Sequence, residues 1–154
     1  MATGQVISGN TISNFPPNTT DESTGIYLDD ETSNVLVTGN TVFGIGRYAL
    51  IVHGGDHNTI RGNTFRIDSM FTLGLYQDDE GAGGTNYGMA GNVFTANDIY
   101  SSSQTTPSAL WDFLDQSKAG ITKPSDSGNT YHTPRANLPS LGPIVDTSPT
   151  VVAQ

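Results

Sequence analysis

Short apolar stretches separated by polar turns recur along the first hundred residues. Three of them are Gly25–Leu28, Ala49–Val52 and Leu73–Tyr76. Each is brief, β-prone and partly alternating between apolar and other side chains, which predicts a strand. The positions expected to point inward are Ile26, Leu28, Leu50, Val52, Leu73 and Leu75. Short strands at regular intervals predict an all-β domain.

A second phrase, an apolar stretch that ends in a Gly-Asn pair, repeats between these strands. The pairs are Gly9-Asn10, Gly39-Asn40, Gly62-Asn63 and Gly91-Asn92, with a weaker copy at Gly128-Asn129. The first four glycines are separated by 30, 23 and 29 residues. Spacings of this size, with length differences absorbed in loops, are typical of solenoid coils. We therefore predict a right-handed parallel β-helix of about four to five coils.

Two sets of asparagines support this architecture. Each predicted strand is followed by a turn that closes on Asn34, Asn58 or Asn86. A second asparagine follows, and the second column would contain Asn40, Asn63 and Asn92. Asparagine tolerates the left-handed backbone of a sharp corner, and its amide can bond to the asparagine one coil away. The alternative, a β-sandwich with Asn-Gly turns, does not explain why the two asparagines of each coil are five or six residues apart.

The repeat ends near residue 100. Within residues 101–124, we expect a loop and a short helix at Ser108–Leu114, with Ser108 as its N-cap after Pro107. Residues 1–132 would then form the β-helix, and residues 133–154 a proline-rich extended tail. The chain enters a strand pattern directly after Met1, which indicates a C-terminal fragment of a longer protein.

Charge limits the partners that this chain can bind. The formal net charge is −9, with six Lys and Arg residues among 154. This charge disfavours a nucleic-acid partner and an anionic membrane surface. An anionic polysaccharide would also be repelled, unless a cation or a local basic group offsets the field. There is no cysteine, and no apolar run approaches the length of a membrane span.

The phrase Gly25–Asp30, followed by Asn34–Val42, resembles the repeat of the pectate-lyase-like parallel β-helix superfamily. The resemblance covers about residues 5–100. That superfamily includes polysaccharide lyases, C5-epimerases, polygalacturonases, phage tailspikes and non-enzymatic surface proteins. The resemblance implies the fold, a secreted or cell-surface location and a polysaccharide partner, but fold analogy does not choose among these functions.

Candidate chemistry follows from aligning the predicted strands. If Leu28, Val52 and Leu75 share one inward column, the residues after them form an outer row. That row is Asp29, His53 and Tyr76, with neighbouring coils about 4.8 Å apart. A carboxylate can hold the tautomer of an imidazole, and a tyrosine beside them could pass a proton. We therefore predict Asp29, Asp30, His53 and Tyr76 as catalytic residues for proton abstraction at a uronate.

Polar neighbours of this row are expected to bind the substrate. They are Arg47, Asp56, His57, Gln77 and Asp78. The acidic clusters could also hold a hard cation such as Ca²⁺ through oxygen ligands, although no calcium-loop motif is present.

The family motifs are incomplete, so two functions stay open. The Asp-Pro-His-Asp motif of the epimerases is absent, and both lysines lie outside the repeat. The order Asp29-Asp30 and then His53-Gly54 is similar to that of polygalacturonases, which would imply hydrolysis by paired carboxylates. However, the Asn-Thr-Asp and Arg-Ile-Lys elements of that family are missing. The alternative to a carbohydrate-active domain is a non-catalytic structural module, which could form homo-oligomers through uncapped ends or the tail.

Overall fold

The computed structural model describes residues 4–13, 23–30, 32–67, 73–77, 89–100, 111–113, 120–133 and 150–153. The regular elements of these residues are all β-strands. They are β1 (Val6–Ser8), β2 (Thr11–Ile12), β3 (Thr24–Leu28), β4 (Leu36–Thr38), β5 (Thr41–Phe43), β6 (Tyr48–His53), β7 (Thr59–Arg61), β8 (Thr64–Arg66), β9 (Gly74–Gln77), β10 (Val93–Thr95), β11 (Asp98–Tyr100), β12 (Trp111–Phe113), β13 (Ser125–Ser127), β14 (Thr130–Thr133) and β15 (Thr150–Ala153).

The strands stack into three parallel sheets. Sheet 1 has the order β1-β4-β7-β10-β13, sheet 2 has β2-β5-β8-β11-β14-β15, and sheet 3 has β3-β6-β9-β12. Each strand pairs with the equivalent strand of the next coil, three elements further along the chain, except for β15, which follows β14 directly. The chain therefore winds as a parallel β-helix. In the described residues, four coils have a strand in every sheet and β13 with β14 begin a fifth, which confirms the predicted architecture.

Alternate side chains of the strands in sheets 1 and 2 point into the solenoid from β1 to β14 and form columns. The inward column of sheet 1 is Ile7, Val37, Ile60, Phe94 and Asp126, and that of sheet 2 is Ile12, Val42, Phe65, Ile99 and Tyr131. The rings of Phe65 and Phe94 stack at 6.1 Å and have no exposed surface. Each fully buried apolar side chain of this kind contributes about 1.5–3 kcal/mol. Inward positions predicted from sequence, such as Leu28 and Val52, are buried.

A ladder of asparagines lines the corner between sheets 1 and 2. Its members are Asn10, Asn40, Asn63, Asn97 and Asn129. In each of the first four, the backbone N–H and the side-chain Nδ2 both donate to Oδ1 of the next asparagine, at 2.8–3.0 Å. Asn129 ends the ladder, and its Nδ2 donates to the buried carboxylate of Asp126. The backbone and the side chain of one residue type thus bind successive coils together.

The predicted membership of the asparagine columns is partly wrong. Asn92 does not follow Asn63, because it belongs to the other corner, where Asn58 N–H donates to its Oδ1 at 2.8 Å. The missed ladder residue is Asn97, which follows Ala96 at a φ of 52° where the other corners use glycine. Asn34 is exposed and is not aligned with Asn58 and Asn92. The residue of its coil that is aligned with them is Val35, whose N–H donates to Asn58 Oδ1. Asn86 lies outside the described residues.

The helix predicted at Ser108–Leu114 is wrong for residues 111–113, the part of it that the structure describes. Trp111–Phe113 form β12, which pairs in parallel with β9. Tryptophan and phenylalanine favour strands, and pairing with an open sheet edge outweighs a local helix signal. Residues 134–149 of the predicted tail lie outside the described residues, whereas β15 pairs with β14. Among the described residues, no helix is long and apolar enough to cross a membrane.

Candidate functional site

Asp29, Asp30 and His53 meet at one corner of the solenoid, as the sequence predicted. β3 ends at Leu28 and β6 ends at His53, and the pairing of Leu28 with Val52 brings the following residues of both coils together. His53 Nδ1 lies 2.7 Å from Asp30 Oδ1 and 3.4 Å from Asp29 Oδ1. The imidazole is 15% exposed, whereas the carboxylates are more than half exposed. The imidazole is therefore enclosed, and the carboxylates face solvent.

Local contacts fix this arrangement. A turn follows β3, in which the Thr32 N–H donates to the Asp29 carbonyl at 3.0 Å. On the next coil, the Gly54 N–H donates to the Gln77 carbonyl at 2.9 Å, which holds the chain just after His53. The Tyr27 ring contacts the imidazole edge-on, with ring centroids 5.9 Å apart. The imidazole is thus positioned by an aromatic ring and by two carboxylates.

Tyr76 does not belong to this row, so its predicted position beside His53 is wrong. The register pairs Val52 with Tyr76 and His53 with Gln77, one residue away from the predicted alignment with Leu75. Tyr76 points inward and is 1% exposed. Its hydroxyl donates to the Thr122 carbonyl at 2.9 Å and accepts from Asn92 Nδ2 at 2.9 Å. These bonds make a buried tyrosine stable inside the solenoid.

The buried phenol of Tyr76 makes stability depend on alkaline pH. Burial raises its pKa to about 12, the hydrogen bond from Asn92 lowers it and the charge of Asp56 raises it. Between about pH 10, where tyrosine ionises in the unfolded chain, and about pH 12, the unfolded state loses a proton that the folded state keeps. Stability from this group is therefore complete below pH 10 and falls as the pH approaches 12, by at most roughly 2–3 kcal/mol.

The Tyr76→Phe variant tests this origin of the pH dependence. Denaturant unfolding at pH 8 and at pH 11.5 should show a smaller loss of stability in the variant than in the natural protein. Equal losses in both proteins would show that other groups cause the alkaline destabilisation.

The predicted substrate-binding residues divide into near and distant groups. Gln77 pairs with His53 and therefore adjoins the site. Arg47 precedes β6 while His53 ends it, so roughly 20 Å of strand separates them. The Arg47 guanidinium lies over the Tyr48 ring, 5.1 Å from its centroid. Arg47 is thus too far away to contact a group bound at His53, and Asp78 lies outside the described residues.

The other two predicted binding residues follow His53 on the same turn. Asp56 accepts a hydrogen bond from the Ala90 N–H at 2.6 Å, so its carboxylate fastens this turn to the next coil. His57 is exposed and borders a shallow groove of about 320 Å³. The groove is lined by Asn34, Val35, Leu36, His57, Thr59 and Arg61. Sequence reasoning missed Arg61, because nothing in its local sequence marks it as a neighbour of Asn34.

The three residues at the solenoid corner also have the composition of a metal site. Asp29, Asp30 and His53 each offer one ligand atom, and these atoms lie within 4.8 Å of one another. Ca²⁺ prefers oxygen ligands, so it would use the two carboxylates, whereas a mixed nitrogen and oxygen set suits ions such as Zn²⁺ or Mn²⁺. The residues therefore fit a transition-metal ion better than the predicted Ca²⁺.

Comparison with known proteins agrees with the three-sheet solenoid. A family model described as a right-handed beta helix region matches residues 2–122, which is most of the chain. No curated protein and no solved structure shows a significant match. The chain therefore belongs to the right-handed β-helix family.

Proposed function

We propose that this β-helix acts on an extracellular polysaccharide, with Asp29, Asp30 and His53 as its reactive groups. The observation that carries the proposal is the position of His53 Nδ1, 2.7 Å and 3.4 Å from two carboxylate oxygens. Carboxylates beside Nδ1 of an imidazole hold the tautomer with its proton on that nitrogen, which orients the ring and leaves Nε2 to accept a proton. The similarity of the repeat to pectate-lyase-like proteins supports a secreted or cell-surface location.

The reaction that we propose is proton abstraction next to the carboxyl group of a uronate. His53 takes the proton from carbon 5, and the electron pair left behind forms a double bond to carbon 4. The bond from carbon 4 to the glycosidic oxygen breaks, and the imidazolium returns the proton to that oxygen. Asp29 and Asp30 stabilise the imidazolium while it exists. Tyr76 has no part in this scheme, because its phenol is inside the solenoid.

The His53→Ala variant should lose cleavage of a uronate polymer by roughly 100-fold, which is typical for removal of an acid–base group. The assay follows the ultraviolet absorbance of the unsaturated product on pectate and on alginate. His132 provides a matched control, because its Nε2 lies 3.3 Å from Asp98 Oδ1 and its side chain is 16% exposed. That pair is on sheet 2, away from the site, so His132→Ala should keep activity within roughly threefold of the natural protein.

Three outcomes would overturn this scheme. Full activity of His53→Ala would remove the imidazole from the reaction. New reducing ends without ultraviolet absorbance would indicate hydrolysis by the paired carboxylates instead. Binding of the polymer without turnover would favour the non-catalytic module.

A further inference from the structure

The groove beside the candidate site is built by two successive coils. Its apolar lining residues are Val35, just before β4, and Leu36, the first residue of β4, and Thr59 lies beside Leu36 in the register of sheet 1. Arg61 is exposed on the outer face of the same sheet, in register with Thr38. The groove thus combines apolar side chains with hydrogen-bonding and cationic groups, which is the usual composition of a ligand site.

Arg61 differs from Arg47 and Arg66 in its surroundings. Arg47 and Arg66 each lie over a tyrosine ring, at 5.1 Å and 4.8 Å from the ring centroid. Within the part of the chain that the structure describes, the Arg61 guanidinium has no ion pair, side-chain hydrogen bond or ring partner. In a chain of net charge −9, carboxylates are plentiful as partners. An unpaired guanidinium in a groove therefore has its donors directed at solvent or at a ligand.

His57 provides a second polar group at the edge of the groove, and the next coil positions it. Its backbone has a φ of 58°, and its side chain is exposed. Its ring lies against Gly91, where an added Cβ would come within 2.7 Å of the ring carbon Cδ2. The absence of a side chain at Gly91 thus makes room for the imidazole.

The groove and the candidate site lie on one corner. His53 and His57 belong to the same turn, so at most roughly 14 Å of chain separates them. The Asn34 N–H donates to the Asp56 carbonyl at 2.9 Å, which fastens this turn to the preceding coil. A sugar chain of several residues that passes over His53 can therefore extend into the groove.

We infer that the groove is a subsite for the carboxylate of a uronate residue further along the glycan that passes over His53. The inference rests on the proposed function and deepens it by naming the residue that selects an acidic glycan. Arg61 would bind the carboxylate through parallel N–H donors, a geometry that guanidinium matches and that offsets the repulsion from an acidic protein. His57 and Thr59 would add hydrogen bonds, and Leu36 would contact an apolar edge of the sugar ring.

The test compares Arg61→Gln with Arg66→Gln by calorimetric titration of the whole chain. Both variants lose one positive charge, but Arg66 is on sheet 2, outside the groove. The probes are trigalacturonate, its fully methyl-esterified form and a sulfated trisaccharide. We expect Arg61→Gln to weaken trigalacturonate binding by at least roughly tenfold, as for the loss of a charge-assisted hydrogen bond. Arg66→Gln should change it by less than roughly twofold, because a distant exposed charge is screened by salt.

Several results would overturn the inference. Arg61→Gln and Arg66→Gln could weaken trigalacturonate binding equally, or the natural protein could fail to bind trigalacturonate. The natural protein could also bind the methyl ester as tightly as trigalacturonate, or bind the sulfated probe more tightly. The proposed reaction is tested separately by the turnover of His53→Ala, because His53 lies outside the groove. Arg61-dependent binding without turnover would therefore retain the subsite and reject the reaction.

Discussion

Replacing Asn63 by alanine is expected to lower the free energy of unfolding by roughly 3–5 kcal/mol. Asn63 is 1% exposed and occupies the middle of the asparagine ladder. Its Oδ1 accepts from the backbone and side chain of Asn40, and its Nδ2 donates to Val37, Arg61 and Asn97. Alanine would leave buried donors and acceptors of two neighbouring coils without partners, and each such group costs about 1–3 kcal/mol.

Asn10 provides the matched control for this prediction. It is the exposed first member of the ladder, and its side chain donates one bond, to Asn40 Oδ1 at 3.0 Å. Asn10→Ala should therefore cost about 1 kcal/mol or less, because water can replace the lost bond. Guanidinium unfolding followed by circular dichroism gives both values. Equal losses at Asn10 and Asn63 would show that the ladder contributes through the corner conformation of each residue and not through its buried hydrogen bonds.

The fold could be predicted because its signals are local and repeated. Strands such as Gly25–Leu28 alternate between inward and outward positions, and corners such as Gly39-Asn40 require a left-handed residue followed by a small polar one. Each coil carries the same signals, so an error at one coil does not change the architecture. The asparagine ladder similarly follows from stacking identical residues at the interstrand spacing.

Register within a coil was harder to predict. The Gly-Asn signal at Asn92 resembled that at Asn63, yet the true equivalent is Asn97, which follows an alanine at positive φ. A single unfavourable backbone position is tolerated when the stacked coils on both sides impose it. Local propensity therefore points to the wrong asparagine, and only the pairing of neighbouring strands corrects it.

The same difficulty explains the wrong placement of Tyr76. Both Leu75 and Tyr76 are suitable core residues by hydrophobicity, and a shift of one residue exchanges the two faces of a strand. The inward position of Tyr76 depends on acceptors and donors far along the chain, at Thr122 and Asn92. No local pattern encodes those partners. The adjacency of Asp29, Asp30 and His53, in contrast, needed only the alignment of β3 with β6, whose sequences are clear.

Arg61 could not be found from the sequence for a different reason. The groove arises where Asn34 and Leu36 of one coil meet His57 and Thr59 of the next. Its lining is thus set by the relative position of two turns of unequal length, which a repeat spacing does not specify. A binding groove formed by such turns depends on how neighbouring coils pack against each other, whereas the stability of the fold follows from the repeated strands and corners.

Gly55→Ala is expected to destabilise the protein by roughly 2–5 kcal/mol, through two separate effects. Gly55 has a φ of 86°, a conformation that costs an L-residue about 1–2 kcal/mol. An added Cβ would also lie 2.1 Å from the backbone carbonyl oxygen of Thr32, on the preceding coil. The Thr32 carbonyl cannot move away without breaking another hydrogen bond, because it accepts from Asn58 Nδ2 at 2.7 Å.

Gly9→Ala separates the two effects. Gly9 has a φ of 67°, and a Cβ there would meet no atom within 4 Å. Its alanine variant should therefore show only the conformational cost of about 1–2 kcal/mol, in the same unfolding assay. If Gly55→Ala costs no more than Gly9→Ala, the close approach to Thr32 does not constrain the stack.

Gly55 also connects stability with the candidate site. Thr32 closes the turn that carries Asp29 and Asp30, and Gly55 follows His53 by two residues. A Cβ at Gly55 that pushes Thr32 away would separate the carboxylates from the imidazole, because the two groups belong to the two coils that the clash drives apart. Folded Gly55→Ala protein should therefore lose turnover of the uronate polymer as well as stability, whereas folded Gly9→Ala should keep it. Full turnover by Gly55→Ala would mean that the carboxylates and the imidazole need not be held at hydrogen-bonding distance for the reaction.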